Sequence, residues 1–478
     1  MKKIVISKLF LYRHRFVIGY IVLGLAFISL LFTLPFVSQT GLSDAEVNST
    51  VESYALDFDA PLNGDLADLP YRTLQKLSIS LFGLTPFAIK LPSIIIGLFL
   101  GLLLILLLNR WFKNNVSLLA SCLVVLSTPF LFLAGSGTPL IMIVFWPTLL
   151  LWLGSKIQGE KKPKPMYSFL FAVALLFAIY TPYMLYFAAF CVLFVAFQPH
   201  LRFMVKSLPK VPLVLVGLII VGGVSVLVMN MINHPDTIME LLFADGFNAN
   251  KIFSNIGSGL TPVFTWRGDV DSVFLAPLMS LPLLALALIG LFSTTKGFFA
   301  SRNSIASLLL VFALIITSFN PDAVVFFILP VSILVAHGLR YILEKWYGLF
   351  PENPYARIAA IFPLSLLFGA VIIPSLLQYI HGYQYNPTVV NNFSYDLPIV
   401  RDNLTDETLL VGESDYDFYK ILEKSSDIKI TKEIDGSQQK IAVLHKQLDN
   451  DNYSLSRIIT SPLAQNSDII YLYTVKGE

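Results

Sequence analysis

The chain has almost no cysteine and little charge. Two cysteines occur in 478 residues, Cys122 and Cys191, both inside apolar runs. That excludes a disulfide framework and a cysteine-based zinc site. Charged residues make up only 13% of the chain against 55% hydrophobic ones, and mean hydropathy is +0.71. A water-soluble domain with that balance would aggregate, so lipid is the solvent for most of it. No Walker motif is present, which argues against ATP-driven transport. There is no His-x-x-x-His pair, tandem repeat or low-complexity segment. No small-residue cleavage site follows the basic N-terminus (Lys2, Lys3, Lys8, Arg13, Arg15), so the first apolar run reads as a retained anchor.

What the chain does have is a series of apolar runs of helix length. They fall near 16–37, 87–108, 115–134, 139–155, 167–197, 211–232, 274–293, 304–319, 322–340 and 357–379. In lipid, backbone groups must pair within their own segment, so each run is expected to be helical. The run 167–197 is too long for one span and carries Thr181-Pro182 at its middle. Loop charge settles its reading. If it turns at Thr181-Pro182, the basic N-terminus, Arg110/Lys113, Lys156–Lys164, Arg202–Lys210, Lys296/Arg302 and Arg340–Arg357 all fall on one side. The expected fold is an all-α polytopic membrane protein of about 11 transmembrane helices with its N-terminus cytoplasmic. Segments 38–86 and 233–273 and the tail then lie outside.

Residues 1–384 are expected to form the membrane domain and 385–478 a small extracytoplasmic α/β domain. The tail is more polar, and short β-rich runs stand out at 409–411, 428–430, 441–444 and 469–472, with a helix-like stretch at 416–422.

Charge in the first exterior segment is mostly acidic: Asp44, Glu46, Glu52, Asp57, Asp59, Asp65 and Asp68, with Arg72 and Lys76 as basic company. Acids beside a bilayer are costly and tend to be functional. Asp44 lies closest to the end of the first span and is the candidate general base, with Glu46 assisting. Asp57, Asp59, Asp65 and Asp68 read as a solvated loop face. The stretch Arg72–Phe82 carries Leu74, Leu77, Ile79, Leu81 and Phe82, enough to bed a helix on the membrane surface. Arg267 is the best phosphate clamp, because a guanidinium matches phosphate bidentately. Arg72, Lys90 and Lys251 are further cationic candidates, and Trp266 is placed to stack on a ring. The acids are too loosely spaced to name a metal site, and no cofactor is expected.

The order of these parts resembles the GT-C superfamily of polyprenyl-phosphate-dependent glycosyltransferases, closest to the family 39 group of protein mannosyltransferases and aminoarabinose transferases. The residues that carry the resemblance are Ser43-Asp44-Ala45-Glu46, then Leu81-Phe82-Gly83 with Ile89-Lys90-Leu91-Pro92-Ser93. Further on come Phe264–Asp269, Leu281-Pro282-Leu283-Leu284 with Gly290, and Leu329-Pro330. The likeness covers roughly residues 10–380. It implies transfer of a sugar from a polyprenyl-phosphate carrier to a glycan, lipid or protein acceptor at the cell membrane, with no nucleic-acid partner. There are departures. Ala45 separates an Asp-Glu pair that the family keeps adjacent, and Asp68-Leu69-Pro70 stands for His-Pro-Pro. Gly135–Pro139 lacks the acid often found after the third span, and Asn320-Pro321-Asp322 stands where the family often has Arg-Tyr. Two other readings remain at this point: a non-catalytic cell-envelope scaffold working through its tail, and a lipid or glycan transporter. The second fits less well, since charges sit at span ends and no pseudo-repeat is visible.

Overall fold

The structure is a computed structural model. It describes residues 14–37, 41–57, 64–159, 165–199, 202–203, 210–242, 251–264, 275, 277–295, 300–405, 407–434, 438–448, 452–461 and 468–476. Trp266, Arg267 and Asp59 lie outside the described residues.

Apolar sequence becomes helix wherever hydropathy predicts it. The spans are α1 (Arg15–Val37), α4 (Pro86–Trp111), the bent pair α5 (Asn114–Val125) and α6 (Thr128–Gly135), α7 (Met142–Gly159), α8 (Pro165–Ala178), α9 (Met184–Phe197), α10 (Lys210–Asn233), α13 (Leu281–Thr295), α14 (Ser301–Phe319), α15 (Ile328–Leu349) and α16 (Ile361–Tyr385). Between α1 and α4 lie α2 (Asp44–Ala55) and α3 (Leu69–Phe82); between α10 and α13 lie α11 (Pro235–Leu242) and α12 (Ile252–Phe264). Among the described residues, six helices are long and apolar enough to cross a membrane, the pair α5–α6, bent by 67°, is so when taken together, and four further apolar helices are shorter. The break between α8 and α9 falls at 179–183, where Thr181-Pro182 predicts it.

The centre of the bundle is α15, whose residues from Ile328 to Leu339 are all buried. It crosses α13 at a pair of glycines. A Cβ on Gly290 would lie 1.9 Å from the Leu334 carbonyl oxygen, and one on Gly338 would lie 2.2 Å from that of Leu286. Only hydrogen fits there, so backbone packs on backbone, the usual device for helix association in lipid.

One face of the bundle carries α2, α3, the 135–141 turn, the 179–183 break, α11 and the tail, which touch one another as described below. On the opposite face Arg110 donates to the Ser155 carbonyl and Arg302 to the Trp111 carbonyl. Arg110 and Arg302 therefore lie on the face away from α2. Helix α3 is inverted relative to a soluble helix. Its polar Arg72, Gln75 and Ser78 are buried, while Leu74, Leu77, Leu81 and Phe82 are exposed. Such a helix suits a membrane surface, with its polar side turned to the protein.

After α16 the chain adds β2 (Phe393–Ser394), which pairs antiparallel with β1 (Leu42–Ser43) beside the first span. Helix α17 (Asp396–Asn403) follows. Five strands come next: β3 (Thr408–Leu410), β4 (Lys429–Thr431), β5 (Lys440–Leu444), β6 (Tyr453–Ile459) and β7 (Ile470–Val475). They form a mixed sheet in the order β4-β3-β5-β7-β6, covered by α18 (Tyr416–Glu423). The β-rich runs of the sequence are β3, β4, β5 and β7. Strand β6 goes unread because the irregularity at 455–457, where Arg457 stands, breaks its alternation and much of it is exposed.

Candidate active site on the face formed by the first loop

Helix α2 begins with a capping box. The Ser43 hydroxyl accepts from the Glu46 N–H, and Glu46 Oε2 accepts from the Ser43 N–H at 2.9 Å. Such reciprocal bonds satisfy two orphan donors at a helix start. The other oxygen of Glu46 reaches across the bundle. Oε1 accepts from the Gly137 N–H at 2.6 Å and lies 4.0 Å from Lys90 Nζ. Lys90 in turn donates to the Gly41 carbonyl at 3.0 Å. Both side chains are buried, at 1% and 0% exposure.

Gln75 ties the next turns of α2 to the same place. Its Oε1 accepts from the Ser49 and Ser53 hydroxyls at 2.9 and 2.6 Å, and its Nε2 donates to the Gly137 carbonyl at 2.9 Å. Gly137 has to be glycine. A Cβ would meet Ile89 Cγ2 at 2.6 Å and the Ile89 carbonyl oxygen at 2.9 Å. The first exterior helix is thus fastened to the head of α4 and to the turn after α6 by a buried polar knot. Glu46 is a positioning residue in this arrangement, with both oxygens already bonded. Asp44, two residues earlier, is exposed on the first turn of the same helix. A carboxylate there is favoured by the helix dipole. No ion pair or hydrogen bond of its side chain is seen among the described residues.

A second cluster lies further along α2. Asp68 N–H donates to the Tyr180 carbonyl at 2.7 Å, which brings the start of α3 against the α8–α9 break. Both terminal nitrogens of Arg72 are engaged: Nη1 bonds Asp65 at 2.9 Å, while Nη2 bonds Glu52 at 3.0 Å and Glu240 at 3.1 Å; its Nε is buried without a hydrogen-bond partner among the described residues. Asp68 sits beside it at 6% exposure, and its Oδ1 is buried without a hydrogen-bond partner among the described residues. Glu52 is eight residues beyond Asp44, about 12 Å along the helix, so the two clusters are separate places.

These acids do not behave like a solvated loop. Burial, with help from Glu52 and Asp65 and against Arg72, pushes the Asp68 carboxyl up to about 7. Burial also raises Asp65, but the hydrogen bond with Glu240, the Ala67 N–H and Arg72 outweigh it and bring that carboxyl down to about 2. Glu240 goes the other way, raised to about 8 by burial and by its hydrogen bond with Asp65. Burial would lower Arg72, yet Glu52, Glu240, Asp65 and Asp68 together hold it charged.

The sign of the pH effect follows. Asp68 and Glu240 keep protons in the folded state that the unfolded chain releases near pH 4. Their contribution is therefore present below about pH 4 and is lost as pH rises through about 7 and 8. Asp65 has the opposite sign, its contribution lost as pH falls from 4 towards about 2. The thermal midpoint should decline between pH 5 and pH 8, and Asp68→Asn should flatten that decline. A midpoint that rises with pH across this window in the wild type would contradict the assignment.

The sequence-based expectations fare unevenly here. Arg72 and Lys90 were expected to meet an anion; the structure spends both charges inside the protein, on three carboxylates and on Glu46 with the Gly41 carbonyl. Asp65 and Asp68, expected on a solvated face, are drawn into the Arg72 cluster. Lys251, just ahead of α12, is exposed. Sequence reasoning passes over Gln75, Gly137, Ser49, Ser53 and Glu240, which the structure brings into the two clusters. Two signals were available. Asp68 and Arg72 are four apart, as are Ser49 and Ser53, so each pair shares a helix face. A cavity of about 750 Å³ opens elsewhere on this side, between α2–α3 and the tail, lined by Tyr54, Phe82, Gly83, Arg401 and Lys424 among others.

A polytopic bundle with short surface helices after its first span and a small mixed-sheet domain at its end is a GT-C-type architecture, and the chain is like the protein mannosyltransferase and ArnT members of that superfamily. Residues 71–226 match the sequence model of the family described as dolichyl-phosphate-mannose-protein mannosyltransferase. ArnT from Cupriavidus metallidurans bound to undecaprenyl phosphate superposes with a TM-score of 0.60 at 10% identity, covering 96% of this chain and 98% of that one. Its apo state gives 0.55 at 12% identity over the same shares, 96% and 98%. The apo oligosaccharyltransferase of Archaeoglobus fulgidus gives 0.50 at 10% identity, with 85% of this chain and 64% of that chain covered. No functionally curated protein matches the chain in sequence.

Proposed function

We propose that the protein is a membrane glycosyltransferase that moves a sugar from a polyprenyl-phosphate carrier to an acceptor on the extracytoplasmic side. The observation that carries this reading is the pinned first-loop helix: Glu46, Lys90, Gly137 and Gln75 fix the start of α2 on a GT-C-type bundle and leave Asp44 open to an incoming acceptor. The full-length likeness to ArnT, described with undecaprenyl phosphate, supports the donor class.

In this mechanism the acceptor hydroxyl or amine attacks the anomeric carbon of the donor. The bond from that carbon to the phosphate oxygen breaks, and polyprenyl phosphate leaves. Asp44 takes the acceptor's proton. Arg267, aided by Lys251, holds the phosphate, and Trp266 stacks on the sugar. The phosphate is already a good leaving group, so placement of these charges is what the protein adds. Arg110 and Arg302, on the face away from α2, support an extracytoplasmic position for the site and tail. Residues 1–384 then form the catalytic membrane domain and 385–478 the extracytoplasmic one.

Asp68 supports a second assignment of the base. Its pKa near 7 suits proton abstraction at neutral pH. Geometry comes before pKa, however, and the Asp68 carboxylate is closed off while Asp44 is open. The function itself is tested by release of free polyprenyl phosphate from radiolabelled sugar carriers, with the purified protein in vesicles and acceptors supplied from the cell envelope. Release above that of empty vesicles is expected. Vesicles that bind carrier yet release nothing with any envelope fraction would favour the scaffold reading.

A further inference from the structure

We propose that the tail domain binds one divalent metal ion, of the zinc type, through Asp396, His445 and Asp468. The three residues come from separate stretches: Asp396 opens α17, His445 follows β5, and Asp468 precedes β7. One ligand atom from each lies within 4.8 Å of the others. His445 Nε2 is 3.0 Å from Asp396 Oδ2. Metal–ligand bonds of roughly 2.0–2.2 Å at tetrahedral angles set neighbouring donor atoms about 3.3–3.5 Å apart, so small side-chain shifts close this set around an ion.

Two further observations separate the trio from an ordinary ion pair. Asp396 and Asp468 are 5% and 2% exposed, a costly place for two carboxylates unless a cation shares it. Asp396 Oδ1 is buried with no hydrogen-bond partner among the described residues, although Oδ2 accepts from the Ser394 hydroxyl at 2.6 Å. The Tyr395 N–H donates to Asp468 Oδ2 at 2.9 Å and orients that carboxylate. Supporting bonds of this kind aim metal ligands. His445 is partly exposed, which leaves a route for the ion.

One imidazole and two carboxylates form a zinc-compatible set. Its position gives it a role. Ser394 and Tyr395 belong to the segment whose strand β2 pairs with β1, directly ahead of Asp44. An ion here fastens the tail's sheet to the strand that abuts the first-loop helix. The site is independent of whether Asp44 acts as a base.

The test is Zn²⁺ titration of the untagged full-length protein in detergent, after chelator treatment, followed by calorimetry and by metal content. One equivalent should bind saturably and raise the thermal midpoint. His445→Ala should weaken binding at least about tenfold. Because His445 is partly exposed, that variant should fold; Asp468→Asn gives a second reading from a different ligand. Absence of saturable uptake by the wild type, or uptake unchanged in both variants, would overturn the proposal and leave a metal-free Asp–His pair.

Discussion

Asp44→Asn should abolish sugar transfer while leaving the protein folded. The change is isosteric, the side chain is exposed, and the capping box uses Ser43 and Glu46 rather than residue 44. A positioned general base contributes about 10²–10⁴ in rate, so turnover should fall by that order with carrier binding little altered. Asp68→Asn should cost far less rate, and its main effect should be the flattened pH dependence of stability. If Asp68→Asn were the dead variant and Asp44→Asn the active one, the base would be Asp68, and the Arg72 cluster would have to open during the reaction.

Lys90→Met should be among the most destabilising single changes in the chain. It removes the ammonium facing a carboxylate that is 1% exposed, and it strands the Gly41 carbonyl that Lys90 now satisfies. Breaking a buried pair in this way costs about 3–5 kcal/mol. The loss should appear as a large drop in the thermal midpoint in detergent. Glu46→Gln alone should also destabilise, because it leaves the lysine charge buried. The double variant Glu46→Gln/Lys90→Met should recover only the part of the loss that comes from unpaired charge, since an amide accepts from one of the Gly137 and Ser43 N–H groups where the carboxylate accepts from both, and the Gly41 carbonyl stays without its donor. A double variant no better than Lys90→Met would mean that the two residues act independently. Activity should follow the same order, because the knot sets where Asp44 stands.

Much of the scaffold is legible in the sequence, for a simple reason. Lipid forbids unpaired backbone, so each apolar run has one solution, and Thr181-Pro182 marks the place where the long run 167–197 must divide. The amphipathic stretch 72–82 and most strands of the tail are equally local signals. The polar knot is not local. Glu46 meets Gly137 across 91 residues and Arg72 meets Glu240 across 168. Charge pattern alone therefore presented Arg72 and Lys90 as free cations, when each is neutralised by a distant partner. The same holds for Asp396, His445 and Asp468: no short motif contains them, and only the folded sheet brings them together. Asp44 stands out in the sequence by its position just after a span, and the structure leaves it exposed at the first turn of a capped helix.

The most direct test of the account is release of polyprenyl phosphate from labelled carrier in vesicles, comparing the wild type with Asp44→Asn. Release by the wild type and its loss in a folded, carrier-binding Asp44→Asn protein is the predicted result. Equal release by the two proteins would contradict it.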